Sequence, residues 1–394
     1  MLIPNRHYAE LKESYLFARI AEKTKAYLAE YPGKRLLRMG IGDVSQPLCP
    51  AVITALHAAV EEQAAKETFH GYLPECGAPF LREAVAKHYE SRGVTLSPEE
   101  VFVSSGASDE LGHLLDLFAP ENPALIPEPA YPAYADASVL AGRRIVFLPT
   151  NPEEDFLPSP ARAEEGELVY LCSPNNPTGA VLDRARLKAW VDWASRRGAV
   201  ILFDAAYEAF IADEALPHSI FEIEGARECA VEICSLSKTA GFTGTRLGYT
   251  IIPRELRRGG MSLNAMWVRN RTTKSNGVSY ILQRGGEAVF TPEGQTQVRQ
   301  TLRIYQDNAK VMASALDRLG IRYTGGRNAP YLWLECPRGY SSWEFFDMLL
   351  RRIQVVGTPG EGFGESGEGW FRFSAFGSPE DTREAMTRLQ ELLG

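Results

Sequence analysis

The middle of the chain alternates short apolar, β-branched runs with stretches of helical period. The run 101–106 predicts a strand that ends in a glycine turn, and the stretch 107–118 after it predicts a helix. Other apolar runs follow at 167–173, 199–207 and 229–238. They are separated by helical patterns such as 184–198. This alternation predicts an α/β fold with a mainly parallel sheet covered by helices.

The rhythm changes from about Glu293 onward. A helical stretch over about Val298–Leu319 precedes the short apolar runs YLWLE at 331–335 and WFRFSAF at 370–376. That order is typical of a smaller α+β unit. We therefore predict an N-terminal arm with part of a small domain at 1–47, a large domain at 48–290 and a C-terminal small domain at 291–394.

Composition excludes several kinds of partner. The 394 residues carry a formal net charge of −8 and contain no basic tract, which argues against nucleic acid and anionic membranes. No apolar run approaches the roughly 20 residues that span a bilayer, and the first residues lack a signal-peptide core, so we expect a cytoplasmic protein. Six cysteines and six histidines show no metal-ligand spacing. Difficult chemistry would therefore need acids, bases or an organic cofactor.

Polar residues follow the predicted strands at their carboxyl ends. Gly106, Asn176, Asp204 and the stretch Ser235–Lys238 each come after an apolar run. Any one of them could be a simple turn or cap residue. Because open α/β sheets bind ligands just beyond the carboxyl ends of their strands, the four together predict one site at one edge of the sheet.

The segment SLSKTAGFTGTRLG at 235–248 carries the most specific signal. A lysine directly after an apolar strand loses solvation, which lowers its pKa and makes Lys238 nucleophilic. Ser235, Ser237 and Arg246 offer hydroxyls and a bidentate cation that suit a phosphate group. The alternative is a surface loop with a solvated lysine.

Other candidates fit an aromatic nitrogen cofactor. Asp204 ends an apolar run, and a protonated pyridine nitrogen would pair with its shielded carboxylate. Tyr207 could donate to a phenolate oxygen, Asn176 offers a second donor, and Tyr131 offers a flat face for a stacked ring. The alternatives are a turn aspartate and ordinary core tyrosines. Free backbone amides at 106–109, where a helix opens, could bind phosphate.

The motifs SPNNPTG at 173–179, FDAAY at 203–207 and the segment 235–248, in this order, resemble the class I and II aminotransferases of pyridoxal-5′-phosphate (PLP) fold type I. The resemblance covers essentially the whole chain. RMGIGDVSQPL at 38–48, HGYLPECGAPFLREAV at 70–85 and GGRNAPYLWLE at 325–335 are similar to the LL-diaminopimelate aminotransferase family. That family implies PLP as cofactor and a homodimer with sites at the subunit interface. It also implies amino transfer from LL-2,6-diaminopimelate to 2-oxoglutarate, giving tetrahydrodipicolinate and glutamate in lysine biosynthesis.

The resemblance assigns roles to residues of this chain. It implies that Lys238 carries the cofactor, Asp204 pairs with the pyridine nitrogen, Tyr131 stacks on the ring, and Asn176 and Tyr207 bind its phenolic oxygen. It implies a phosphate site of Gly106, Ala107, Ser108, Ser235, Ser237 and Arg246, with Tyr72 reaching in from the partner subunit. It implies that Arg372 clamps the substrate α-carboxylate, with Tyr15, Gly42, Glu75 and Asn276 around the distal part of the substrate.

Two positions depart from the family pattern. Ser108 and Glu335 stand where the family often has lysine. The phosphate loop works mainly through backbone groups, so Ser108 should cost little, whereas Glu335 leaves recognition of the distal group open. The rival functions are an aminotransferase with an aromatic or aspartate-type donor, a PLP lyase and a non-catalytic PLP-binding regulator. The acidic charge argues against a DNA-binding regulator, and the intact core set argues against an inactive relative.

Overall fold

A seven-stranded and a four-stranded sheet organise the chain in a computed structural model, which describes residues 2–11, 16–40 and 42–394. The α-helices in these ranges are α1 Leu16–Glu30, α2 Pro50–Glu62, α3 Pro79–Glu90, α4 Ala107–His113, α5 Ala133–Leu140, α6 Arg184–Arg197, α7 Leu236–Ala240, α8 Leu263–Lys274, α9 Tyr280–Val289, α10 Pro292–Leu319, α11 Ser342–Ile353 and α12 Pro379–Leu393. The strands are β1 Leu37–Arg38, β2 Val101–Ser104, β3 Ala124–Glu128, β4 Ile145–Pro149, β5 Leu168–Cys172, β6 Val200–Asp204, β7 Ala230–Ser235, β8 Gly248–Ile251, β9 Arg257–Arg258, β10 Met261–Ser262, β11 Tyr323–Gly325, β12 Tyr331–Glu335, β13 Val355–Val356, β14 Thr358–Pro359 and β15 Trp370–Ser374.

The larger sheet has the order β2-β8-β7-β6-β5-β3-β4. Its neighbours pair in parallel except β8, which runs antiparallel to both β2 and β7. The apolar runs predicted as strands therefore lie side by side, and β5, β6 and β7 are adjacent in its centre. Because these three strands are parallel, their carboxyl ends meet at one edge.

Local sequence explains why these elements form where they do. Every residue of β6 and β7 is buried, as expected for central strands of a parallel sheet. Helix α6 between β5 and β6 is capped at its start by Asp183, whose side chain accepts a hydrogen bond from the amide of Arg186 at 2.8 Å. The helix is followed by Gly198, where φ is 70° and a glycine costs no strain.

The four-stranded sheet, ordered β11-β12-β15-β14, is antiparallel. Helix α10, which leads into it, begins at Pro292 and not near Val298 as predicted. The apolar period starts only at Val298, whereas the first six residues of the helix are PEGQTQ and give no such signal. The helix start is set instead by Thr291, whose hydroxyl accepts from the amide of Gly294 at 3.1 Å.

The N-terminal part of the chain joins the C-terminal part. Strand β1 pairs in parallel with β13, and the buried Leu37 and Met39 belong to a core cluster formed mainly by α10, α11, α12 and the smaller sheet. Among the described residues, no helix is both long and apolar enough to cross a membrane. The described residues also contain no cluster of histidine, cysteine and acidic side chains able to hold a metal.

Candidate active site

A cavity of about 460 Å³ lies at the carboxyl edge of the larger sheet, where β15 of the smaller sheet approaches it. Most of the residues predicted for the site line this cavity. They are Gly42, Ala107, Ser108, Tyr131, Asn176, Asp204, Tyr207, Ser235, Ser237, Lys238, Arg246 and Arg372. Gly106 lies directly before α4, against Arg246. The residues that follow the strand ends therefore lie around one cavity, together with most of the other predicted residues.

Lys238 is in the middle of α7, a short helix that starts where β7 ends. Burial of its side chain lowers the pKa of the amine from 10.5 to about 8. The carboxylate of Asp43 opposes this shift, while the nearby cations Arg246 and Arg372 add to it. A lysine in this state is a better nucleophile and a better base than a solvated one.

Asp204 is buried at the last position of β6. Its Oδ2 accepts from the hydroxyl of Tyr134 at 2.6 Å, and its Oδ1 accepts from the amide of Ala206 at 3.0 Å. Burial raises the pKa of this carboxyl, and the two hydrogen bonds work against that rise. Both oxygens are thus held in fixed directions while the carboxyl still lines the cavity.

A cradle of polar groups lies beside Lys238. Arg246 donates from Nη1 to the hydroxyl of Ser237 at 3.2 Å, and Ser235 caps α7 by accepting from the amide of Ser237 at 3.2 Å. Gly106 has φ 120°, and a Cβ there would lie 2.5 Å from Nη2 of Arg246. A glycine is therefore needed for the backbone to approach the guanidinium. Two hydroxyls and a fork-shaped cation fit a phosphate group.

Arg372 joins the two sheets at the cavity. Its Nη1 donates to Oδ1 of Asn176 at 2.6 Å, and its Nη2 donates to the backbone carbonyl of Gly40 at 2.8 Å. The guanidinium is buried and oriented by these acceptors. Because Oδ1 of Asn176 faces Arg372, the amide nitrogen of the same side chain can serve a different acceptor.

Three predicted residues lie outside this cavity. Tyr72 is 90 % exposed, Asn276 is exposed and Glu75 is partly exposed. Gly277 lies next to the backbone of Pro74 and Glu75, so these residues belong to one patch of the surface. Tyr15 falls outside the described residues. Glu335 is exposed at the end of β12 and does not line the cavity.

The sequence reasoning missed two tyrosines of the site. Tyr134 is the second tyrosine of EPAYPAY and reaches Asp204 from α5. Tyr331 is the first residue of β12, and its hydroxyl contacts that of Tyr207 at 2.8 Å. Both are buried and aromatic, so their sequence signal is the same as that of any core tyrosine. Only their long-range partners distinguish them.

Residues 34–389 match the model of the family described as aminotransferase class I and II. The chain belongs to this family, which makes it a PLP-dependent aminotransferase of fold type I. An LL-diaminopimelate aminotransferase from Parabacteroides distasonis is 48 % identical, with all of both chains covered. One from Lachnospira eligens is 47 % identical over 98 % of this chain and 99 % of the relative. The solved structure of L,L-diaminopimelate aminotransferase from Chlamydomonas reinhardtii is 37 % identical, with a TM-score of 0.95 over 100 % of this chain and 99 % of that one.

These findings confirm the fold class, the enzyme class and the cofactor predicted from the sequence. They also confirm the similarity to the LL-diaminopimelate aminotransferases. The cavity itself also fits PLP. A lysine with a lowered pKa, a buried carboxylate and a set of groups suited to phosphate all face the same space.

Proposed function

We propose that the protein transfers an amino group between LL-2,6-diaminopimelate and 2-oxoglutarate, with tetrahydrodipicolinate and L-glutamate as the other pair. One observation carries the transamination chemistry: Lys238 and Arg372 line the same cavity, although Lys238 lies in the helix after β7 of the larger sheet and Arg372 lies in β15 of the smaller sheet. The names of the relatives support the choice of donor. We also propose a cytoplasmic location, since the described cysteines are all free, as in a reducing compartment.

The cofactor-holding residues follow from the chemistry of the donors. Lys238 would hold PLP covalently, Asp204 would face its ring nitrogen, and Ser235, Ser237 and Arg246 would hold its phosphate. The amides of Gly106, Ala107 and Ser108 would add to the phosphate site, Tyr131 would stack on the ring, and Asn176 and Tyr207 would face its phenolic oxygen. When bound, PLP supplies an electron sink for the charge left on the substrate Cα.

The residues of this chain then perform three tasks. Arg372 binds the α-carboxylate and thereby fixes the substrate Cα relative to Lys238. The amine of Lys238, once it is no longer bonded to the cofactor, would take the proton from the substrate Cα and would deliver it to the cofactor. The low pKa of this amine, about 8, leaves a useful fraction of it neutral near pH 7. The carboxylate of Asp204 would keep a proton on the ring nitrogen.

The remaining predicted residues suggest a homodimer. Tyr72, Glu75 and Asn276 share one exposed surface patch away from the cavity of their own chain. We propose that this patch enters the cavity of a second copy, where Tyr72 reaches the phosphate. Glu75 and Asn276 would join Gly42 around the distal end of the substrate. In that position the carboxylate of Glu75 would face the distal ammonium of diaminopimelate.

A spectroscopic half-reaction tests the function. The PLP-loaded protein would be mixed separately with LL-diaminopimelate, meso-diaminopimelate, glutamate, aspartate and phenylalanine. We expect loss of the visible cofactor band with LL-diaminopimelate and glutamate only. Loss with aspartate or phenylalanine instead would overturn the donor, and product release without any oxo acid acceptor would indicate a lyase. Lys238→Ala should lose both the band and turnover.

The distal contact has its own test. Glu75→Gln should reduce kcat/KM for diaminopimelate much more than for glutamate, because glutamate lacks the distal ammonium. Glu67→Gln, an exposed acid on the same stretch of chain, is the matched control and should change neither. Equal losses for both substrates would contradict the role of Glu75.

Hybrid dimers test the shared site. A Lys238→Ala subunit keeps Tyr72, and a Tyr72→Ala subunit keeps Lys238. If each cavity needs both chains, co-expressing the two variants should restore activity, because one cavity of each hybrid is intact. Activity equal to the sum of the separate variants would contradict a site built from two subunits.

A further inference from the structure

Tyr331 lies between the groups that hold the ring and the group that holds the substrate. It is buried at the first position of β12, and its side chain lines the cavity. Its hydroxyl donates to the hydroxyl of Tyr207 at 2.8 Å, and the two ring centroids are 5.1 Å apart in an edge arrangement. No role for Tyr331 follows from the sequence motifs.

The register of the smaller sheet brings the same ring to Arg372. Trp333 pairs with Arg372 and Tyr331 pairs with Ser374, so the side chains of Tyr331 and Arg372 are diagonal neighbours on one face. The guanidinium carbon of Arg372 lies 4.5 Å from the centroid of the Tyr331 ring. This distance is within the range of a cation–π contact.

The direction of the hydroxyl pair matters. A tyrosine has a single hydroxyl proton, and the proposed function uses that of Tyr207 toward the phenolic oxygen of the cofactor. The oxygen of Tyr207 is then free to accept, and the hydroxyl of Tyr331, 2.8 Å away, is left to donate to it. A hydroxyl whose oxygen accepts a hydrogen bond becomes a stronger donor through its own proton, because linked hydrogen bonds polarise one another. Tyr207 would therefore donate more strongly when it accepts from Tyr331.

We propose that Tyr331 is a positioning residue, whose hydroxyl orients and strengthens Tyr207 and whose ring supports Arg372. This inference rests on the proposed transamination and adds a residue that acts on the cofactor only through Tyr207. One side chain thus links the ring-binding tyrosine of the larger sheet to the carboxylate-binding arginine of the smaller sheet.

The hydroxyl is tested with Tyr331→Phe, which keeps the ring. The PLP-loaded variant is titrated with pH while its visible band is followed, without substrate. Loss of the donor should weaken the hydrogen bond from Tyr207 to the phenolic oxygen. The pKa of the band should then rise by roughly 0.3 to 1 unit. An unchanged titration would overturn the proposal.

Tyr305→Phe is the matched control. Tyr305 is also buried, and both tyrosines pack against Phe376. The ring centroid of Phe376 lies 5.2 Å from that of Tyr305 and 6.0 Å from that of Tyr331. Its hydroxyl instead accepts from the backbone amide of Gln46 at 2.9 Å. Removing this hydroxyl should leave the band titration at the wild-type value. A shift equal to that of Tyr331→Phe would show a general effect of losing a buried hydroxyl and would overturn the proposal.

A double-variant comparison separates positioning from a direct effect. If Tyr331 acts through Tyr207, adding Tyr331→Phe to Tyr207→Phe should shift the band no further. The double variant leaves no unpaired hydroxyl, so this comparison remains available if the single variant folds poorly. A further shift in the Tyr207→Phe background would overturn the proposal.

The support of Arg372 is measured by binding of glutarate, an unreactive dicarboxylate, from its effect on the visible band. Tyr331→Leu removes the ring and should weaken glutarate binding roughly 2- to 30-fold, whereas Tyr331→Phe should not. Equal binding by all three proteins would overturn this part. The visible band of the PLP-loaded wild-type protein is measured before any variant is compared. Its absence would overturn the proposed function itself.

Discussion

The amine of Lys238 should titrate near pH 8 in protein stripped of its cofactor. Burial lowers its pKa from 10.5 to about 8, with Asp43 opposing and Arg246 and Arg372 assisting. At about pH 7.5 roughly a quarter of the amine would then be neutral, against about one part in a thousand for an ordinary lysine. The folded environment should therefore raise the neutral, nucleophilic fraction of this amine about 200-fold.

The assay is acetylation of cofactor-free protein over a range of pH, with the extent at Lys238 read by peptide mass spectrometry. The same residue in urea-unfolded protein is the matched reference. Asp43→Asn should lower the midpoint further, because it removes the carboxylate that favours the charged amine. Coincident midpoints for folded and unfolded chains would refute the argument that burial activates Lys238.

The lowered pKa of Lys238 also predicts that the stability of the protein depends on pH. The folded chain holds this proton less tightly than the unfolded chain. Between about pH 8 and 10.5 the unfolded chain therefore binds more protons, and the cofactor-free protein gains stability as the pH rises. The free energy of unfolding should rise by at most about 3 kcal/mol, and by less where solvent reaches the amine. Urea unfolding at several pH values measures it, and Lys238→Ala should lack this contribution.

Three further variants test the remaining geometry. Tyr134→Phe removes a hydrogen bond that lowers the pKa of Asp204. The acid limb of the pH profile of kcat should therefore move to higher pH, and an unmoved limb would contradict this role of Tyr134. Gly106→Ala should weaken PLP binding roughly 10-fold or more, since φ is 120° and the methyl would meet Arg246; a direct PLP titration decides. Arg372→Lys should raise KM for both donors roughly 10- to 100-fold, as measured from steady-state rates, and an unchanged KM would contradict the role of Arg372.

The sequence by itself determined where the chemistry lies along the chain. Apolar runs that end in polar residues identify buried parallel strands, and the position of Lys238 after β7 and of Asp204 at the end of β6 follows from those runs. These signals are local, because burial of a strand and the turn after it depend on neighbouring residues. The family motifs then supplied Arg372, which no periodicity would have singled out.

Only the tertiary structure decided which residues meet. Tyr134 reaches Asp204 across 70 positions of sequence, and Tyr331 reaches Tyr207 across 124. Such contacts depend on strand order and register, which place distant segments side by side and leave no trace in hydrophobic period. A buried tyrosine looks the same in sequence whether its hydroxyl faces a core carbonyl or an active-site carboxylate. The fold alone gives these two tyrosines their place in the site.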